Sequence, residues 1–94
     1  MAYCLMKGAR LGYLPKAYSE YGVKAFNGIC QQYLSTVEGE MSLGGICLVA
    51  GLGPDNNPRR DGTYEYYMSE PIVKDDAKGT APFLLAYAEM LRLA

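Results

Sequence analysis

The 94-residue sequence contains no histidine and no tryptophan. Without histidine there is no imidazole base, no Ser-His or Cys-His nucleophile, and no common nitrogen ligand for zinc. Acid-base chemistry in this chain would have to come from Asp or Glu. Charge of one sign is also missing: nine Lys and Arg balance ten Asp and Glu, for a net charge of -1. Only Arg59-Arg60 approaches a basic cluster, so a nucleic-acid interface is not expected. No apolar run reaches the roughly 20 residues that span a bilayer. Lys7 and Arg10 interrupt the N-terminal apolar stretch too early for a signal peptide, so no membrane partner is expected. The three cysteines, Cys4, Cys30 and Cys47, are odd in number and far apart, with no CxxC pair. They are expected to be buried free thiols in a reducing compartment, and neither a metal nor a cofactor is expected.

What is present is half apolar, enough for one small domain and neither disordered nor charge-rich. Residues 2–14 predict a helix with Ala2, Leu5, Met6, Ala9 and Tyr13 on one face, ended by Gly12 and Pro15. A second helix is predicted from about Lys16 to Ser35. Its polar stripe is Glu20, Lys24, Asn27, Gln31 and Ser35, and its packed face is Tyr18, Tyr21, Ala25, Phe26, Ile29 and Tyr33. Glu38-Gly39-Glu40 reads as a turn, and the β-favouring Ile46, Leu48 and Val49 predict an extended segment between glycine pairs. Those glycines lack the GxGxxG or Walker spacing of a phosphate cradle, so close backbone packing accounts for them better. Residues 54–58 read as a loop and Asp61-Gly62 as a turn. Residues 64–69 fit either a strand or a single helical turn, and 74–79 read as a second polar loop.

The last helix is predicted over residues 81–93, capped by Thr80 and tolerating Pro82 in its first turn. It is apolar nearly all round, with only Glu89 and Arg92 charged, and a helix of that kind expects neighbours on most sides. The first helix has no capping residue ahead of it and opens directly in an apolar pattern. Both features predict that the chain forms part of something larger, by covalent continuation or by assembly.

The polar run from Arg59 to Pro71 sits between the glycine-rich loop and the last helix. Asp61 and Glu65, four apart, have the spacing of a carboxylate pair on one helical face, but Gly62 between them weakens that geometry. They are read as structural, in an ion-pair network with Arg60 that fixes the loop while the tyrosines pack between helices.

A family resemblance is carried by Gly45-Ile46-Cys47-Leu48-Val49-Ala50-Gly51-Leu52-Gly53, then Arg60-Asp61-Gly62-Thr63-Tyr64-Glu65-Tyr66-Tyr67-Met68-Ser69-Glu70-Pro71-Ile72-Val73, then Asp76-Ala77-Lys78-Gly79 with Pro82-Phe83-Leu84-Leu85-Ala86, and also by the helix ending Lys7-Gly8-Ala9-Arg10-Leu11-Gly12. Together they resemble the C-terminal region of the unsaturated rhamnogalacturonyl hydrolases, glycoside hydrolase family 105, related to family 88. The resemblance runs the whole chain but covers about the last quarter of a typical member. It implies an all-α fold, with residues 1–94 forming the last helices and connecting loops of one (α/α)6-barrel catalytic domain of the six-hairpin type. It also implies removal of a 4,5-unsaturated uronic acid from pectin-derived disaccharides. In that reaction an Asp protonates the double bond and activates water, unlike the two-carboxylate displacement of ordinary glycosidases.

The family's catalytic Asp and its sugar-holding His and Trp have no counterpart here, so no catalytic residue is carried over. At the mouth of such a barrel, tyrosines suit sugar faces and Arg or Lys suits a uronate carboxylate. Arg60, Tyr64, Tyr66 and Lys78 are therefore the candidate substrate-binding residues. The implied partners are an unsaturated uronyl oligosaccharide and either the remaining part of the barrel or a second copy. The compartment expected is the cytoplasm, or the periplasm if an N-terminal part precedes these residues. The competing reading is a stand-alone helical module that binds carbohydrate or a partner without catalysis. A structural protein unrelated to sugars would require the central motif to match by chance.

Overall fold

The computed structural model describes residues 1–53, 55 and 58–93; the predicted loop over 54–58 therefore falls partly outside the described residues. The fold is not all-α. Among the described residues, two helices, α1 (Ala2–Arg10) and α2 (Tyr18–Gln32), are followed by three short strands, the helix α3 (Tyr64–Met68), a fourth strand and the helix α4 (Ala77–Leu93). Strands β1 (Leu34–Val37) and β2 (Glu40–Leu43) form one antiparallel pair, and β3 (Ile46–Cys47) and β4 (Ile72–Val73) form another. The β1–β2 pair replaces the expected last turn of the second helix, because Leu34 to Val37 can pair with the apolar stretch beyond the Glu38-Gly39 turn. Both turn residues have positive φ, 52° and 82°, the conformation that matches a two-residue hairpin to the twist of its strands.

Helix α1 is the centre of the structure, packed on both α2 and α4. Met6, 2% exposed, sits with Ala2, Phe26 and Ala86 in the core. The Phe26 and Phe83 rings stack with centroids 5.2 Å apart across α2 and α4. Helices α1 and α2 lie close together at Gly22, where a Cβ would lie 2.6 Å from Met6 Cγ and 3.0 Å from the Ala2 carbonyl oxygen. That contact sets the buried line of α2 through Gly22 and Phe26 and leaves Tyr18 and Tyr21, expected in the packed face, flanking it and exposed. The two rings lean on each other instead, 5.8 Å apart. Helix α1 is one turn shorter than predicted, and Tyr13 lies outside it in solvent. Cys4 is exposed rather than buried; Cys30 and Cys47 are half-buried, and all three thiols are free.

Helix α4 begins a turn earlier than Thr80. Asp76 caps it by accepting from the Lys78 amide at 2.9 Å, so part of the predicted polar loop is helix. Thr80 thus lies inside the helix, with its hydroxyl buried and unpaired. Arg10 clamps the far end of the same helix: its Nε and Nη2 donate to the two oxygens of Glu89, each at 2.9 Å. Asp75, at φ 60°, ties the β1–β2 hairpin to the start of α4. Its carboxylate accepts from the Leu43 amide and the Ser42 hydroxyl, while its own amide donates to the Leu43 carbonyl.

The result is a slab. Its principal extents are 48 × 40 × 17 Å and its radius of gyration is 16.2 Å, against about 12 Å for a compact domain of this length. Its accessible surface is 6975 Å², whereas a compact protein of 10.3 kDa exposes about 5,400 Å². The exposed side chains include the apolar Leu84, Leu85 and Leu91 on α4. No described helix is long and apolar enough to cross a membrane.

Candidate functional site

The polar run folds into a loop, the helix α3 and a return strand. Gly53 donates its amide to the Arg60 carbonyl, closing the base of the loop, and Leu48 donates to the Pro71 carbonyl where the run rejoins β3. At the start of α3, Asp61 accepts from both the amide and the hydroxyl of Thr63, at 3.0 and 2.7 Å. Thr63 in turn caps the helix by accepting from the Tyr66 amide at 3.1 Å. The two Thr63 bonds hold the Asp61 carboxyl below its ordinary range. Residues 64–69, open between strand and helix on periodicity, are helical because this relay of caps starts a turn there.

The hub of the run is Glu70, 5% exposed. Arg59 Nη1 and Arg60 Nε approach its Oε1 at 3.3 and 3.5 Å. Arg59 also donates to the carbonyl and hydroxyl of Ser69 and lies 5.5 Å from the centre of the Tyr66 ring. The expected network of Arg60 with Asp61 and Glu65 does not form. Asp61 is occupied by Thr63, and Glu65 points from the exposed side of α3, so the burial of Glu70 draws both arginines instead. Sequence spacing favours the nearer carboxylates; the pairing of Glu70 with residues ten and eleven positions back depends on the loop's reversal.

The four candidate residues divide. Arg60 and Tyr66 come together at Glu70. Tyr66 is 6% exposed, and the neighbouring Glu70 carboxylate raises its phenol above the usual range. Neither the Tyr66 hydroxyl nor Arg60 Nε completes a hydrogen bond, although both are buried. Tyr64 lies on the opposite side of α3, 72% exposed, with Tyr67 beside it in solvent. Lys78 stands apart in the first turn of α4, where its ammonium pairs with Asp76 at 2.9 Å and lowers that carboxyl's pKa. The site thus offers a cationic pair on a buried carboxylate and two open phenol faces.

Nothing in this arrangement supplies a proton donor at neutral pH from Asp61, Asp75, Asp76 or Glu89, since hydrogen bonds hold all four carboxyls down. Among the described residues, no three His, Cys, Asp or Glu side chains converge to hold a metal ion. The side chains gathered here are two arginines held on a buried carboxylate and exposed tyrosine rings, groups of the kinds that pair with anions and stack on ring faces.

The profile of Glycosyl Hydrolase Family 88 matches residues 1–94. The chain is 46% identical over 98 residues to Protein Atu3128 of Agrobacterium fabrum strain C58 and to the 24.9 kDa protein in the picA locus of Rhizobium radiobacter. Each alignment takes in 99% of this chain and 42% of the relative. A solved glycoside hydrolase of family 105 from C. acetobutylicum superimposes with a TM-score of 0.85 at 45% identity. That superposition covers 94% of this chain and 24% of the solved one. The 94 residues therefore span under half the length of the relatives and about a quarter of the solved enzyme.

Proposed function

The chain belongs to Glycosyl Hydrolase Family 88, and on that premise we propose that it supplies the closing helices and mouth loops of an (α/α)6 barrel acting on unsaturated uronyl disaccharides from rhamnogalacturonan. The observation that carries this reading is the Arg60-to-Pro71 run, held in place by Asp61, Thr63 and Glu70 within a chain 45% identical to part of a family 105 hydrolase. The flat shape and uncovered α4 support it, since an end piece of a barrel has helices to meet on its open side.

In the complete barrel, an Asp from outside these residues protonates the C4–C5 double bond and activates water at the adjacent carbon. The hemiketal so formed collapses and releases the neighbouring sugar. This chain's part is recognition. Arg60 presents charge to the uronate carboxylate, Lys78 adds a separate positive charge from the first turn of α4, Tyr64 offers a ring face, and Tyr66 packs beside the Arg60–Glu70 pair. The compartment proposed is the cytoplasm, where three free thiols persist; the periplasm is the alternative.

To test the assignment, the 94-residue chain alone and a full barrel carrying it are incubated with the unsaturated disaccharide. The ultraviolet absorbance of its double bond is followed. The barrel is expected to remove the absorbance and the isolated chain to leave it unchanged. A folded barrel with no effect on the double bond would refute the substrate assignment. The exposed Tyr64 and Tyr67 favour a second reading, a non-catalytic sugar-binding module. It requires saturable heat of binding from the isolated chain titrated with the same disaccharide.

A further inference from the structure

At the end of the helices away from the Arg60–Glu70 site, the fold gathers basic side chains that the sequence keeps apart. Arg10 closes α1, Lys16 stands just ahead of α2, and Arg92 lies in the last turn of α4. All three line one cavity of about 280 Å³. The opposite end of α1, at Met1 and Ala2, shares a different cavity with Gly45, Ile46 and Gly79. Arg92 is also about 21 Å along α4 from Lys78, so this pocket is separate from the site described above.

Glu89 is the one carboxylate on its wall among the described residues. Arg10 occupies both oxygens of that carboxylate, its Nε and Nη2 donating at 2.9 Å each. Arg10 holds the Glu89 carboxyl below its ordinary range, so it stays ionised and is spent on this one partner. Arg92 Nε is left 3.9 Å from Oε1, beyond hydrogen-bond reach, with 60% of its side chain accessible. Lys16 is exposed and makes no ion pair among the described residues. Three positive charges therefore face one negative charge in a hollow, within a chain whose net charge is -1. Such a concave wall of one sign focuses its field on the space it encloses. Met6 and Leu93 add apolar surface beside the cations.

We propose that this cavity binds a phosphate dianion, free or as the monoester of a small molecule, between Lys16 and Arg92 and against the Arg10–Glu89 pair. The two uncompensated cations match a phosphate group, which carries roughly -1.5 to -2 at neutral pH. The Arg92 fork suits its oxygens, and the Lys16 ammonium adds a point charge. A single carboxylate would leave one of the two cations unpaired. The cavity has room for the ion and for the carbon part of an ester beside Met6 and Leu93. Since its cations come from α1, α4 and the entry to α2, the bound ion ties three helices together and stabilises the fold by mass action.

The test follows the melting temperature of the 94-residue chain, and of a full barrel carrying it, as inorganic phosphate is added at an ionic strength held constant with sodium chloride. The expected result in both is a saturable rise with phosphate that chloride alone does not give. Lys16→Gln and Arg92→Gln should each raise the half-saturating phosphate concentration about tenfold, as losing a charge-assisted hydrogen bond does. Lys24→Gln removes the same charge from an exposed position on α2 outside the cavity and should leave it unchanged. A sugar phosphate that saturates below inorganic phosphate identifies the ester as the ligand; the reverse order identifies the free ion. An equal rise in the Lys16→Gln/Arg92→Gln double variant would overturn the proposal, as would galacturonate saturating below phosphate. A response of the isolated chain that the barrel lacks would also overturn it, because other helices would then fill the cavity. None of these measurements uses the unsaturated disaccharide, so the anion site and the substrate assignment stand or fall separately.

Discussion

Two glycines in the same helix predict opposite responses to the same substitution. Gly22 and Gly28 both lie inside α2, and alanine in place of either improves helix propensity by roughly 0.5–1 kcal/mol. At Gly28 nothing lies within 4 Å of the new methyl group, so the gain is kept. At Gly22 the methyl would stand 2.6 Å from Met6 Cγ, 3.0 Å from the Ala2 carbonyl oxygen and 3.2 Å from the Met6 amide nitrogen. Two of these three are backbone atoms, so a rotamer change of Met6 cannot clear them, and α1 must move away from α2. Overpacking of that kind costs about 1–3 kcal/mol, which leaves a net loss of about 1 kcal/mol after the propensity gain. In a domain of this size a loss of about 1 kcal/mol moves the melting temperature by about 4–8 °C. Thermal melts followed by circular dichroism, at matched protein concentration, should show Gly28→Ala melting a few degrees higher and Gly22→Ala about 4–8 °C lower. If both variants melted higher, the α1–α2 contact at Gly22 would not be as close as described.

Three further outcomes are expected. Glu89 has its carboxyl pKa lowered by Arg10, and the Leu43 amide and Ser42 hydroxyl lower that of Asp75. Groups depressed in the folded state stabilise it above the unfolded carboxylate range of about 4 and lose that contribution as pH falls through their folded values. The urea midpoint should therefore fall on going from pH 7 to pH 3, and Glu89→Gln should show a smaller fall; an unchanged pH dependence would contradict the Arg10–Glu89 clamp. Glu70→Ala leaves Arg59 and Arg60 without their shared carboxylate. Trypsin should then cut after these arginines roughly tenfold faster, as expected for losing a charged hydrogen bond of about 1.5 kcal/mol. In a full barrel carrying this chain, Arg60→Ala should raise KM for the unsaturated disaccharide more than Tyr64→Phe, which keeps the ring face; equal effects would remove Arg60 from recognition.

Helices α1, α2 and α4 are legible in the sequence because their apolar positions recur at helical spacing, and α4 announces its need for neighbours by carrying charge only at Glu89 and Arg92 over residues 81–93; the short α3 is not, because six residues are too few for periodicity to decide. What is not legible has a common cause. Strands β3 and β4 are two residues each and gain their pairing only from the reversal of the long segment between them. Strand β1 is hidden in what reads as the end of α2. The cap of α4 is misplaced by a turn because Thr80 and Asp76 are both good capping residues, and only the Asp75 link to the hairpin decides for the earlier one. In the site, Arg60 and Tyr66 come together as grouped, Lys78 does not join them, and Glu70 escapes notice. A glutamate just before a proline in a polar run carries no local signal of burial.

The barrel reading is tested most directly by replacing the matching quarter of the C. acetobutylicum hydrolase with these 94 residues and following, beside the parent enzyme, the rate at which the double bond of an unsaturated rhamnogalacturonan disaccharide is consumed. The account predicts a folded chimera whose ultraviolet progress curve falls like the parent's, with the released sugar appearing in step. A chimera that folds cooperatively yet leaves the absorbance unchanged would contradict it.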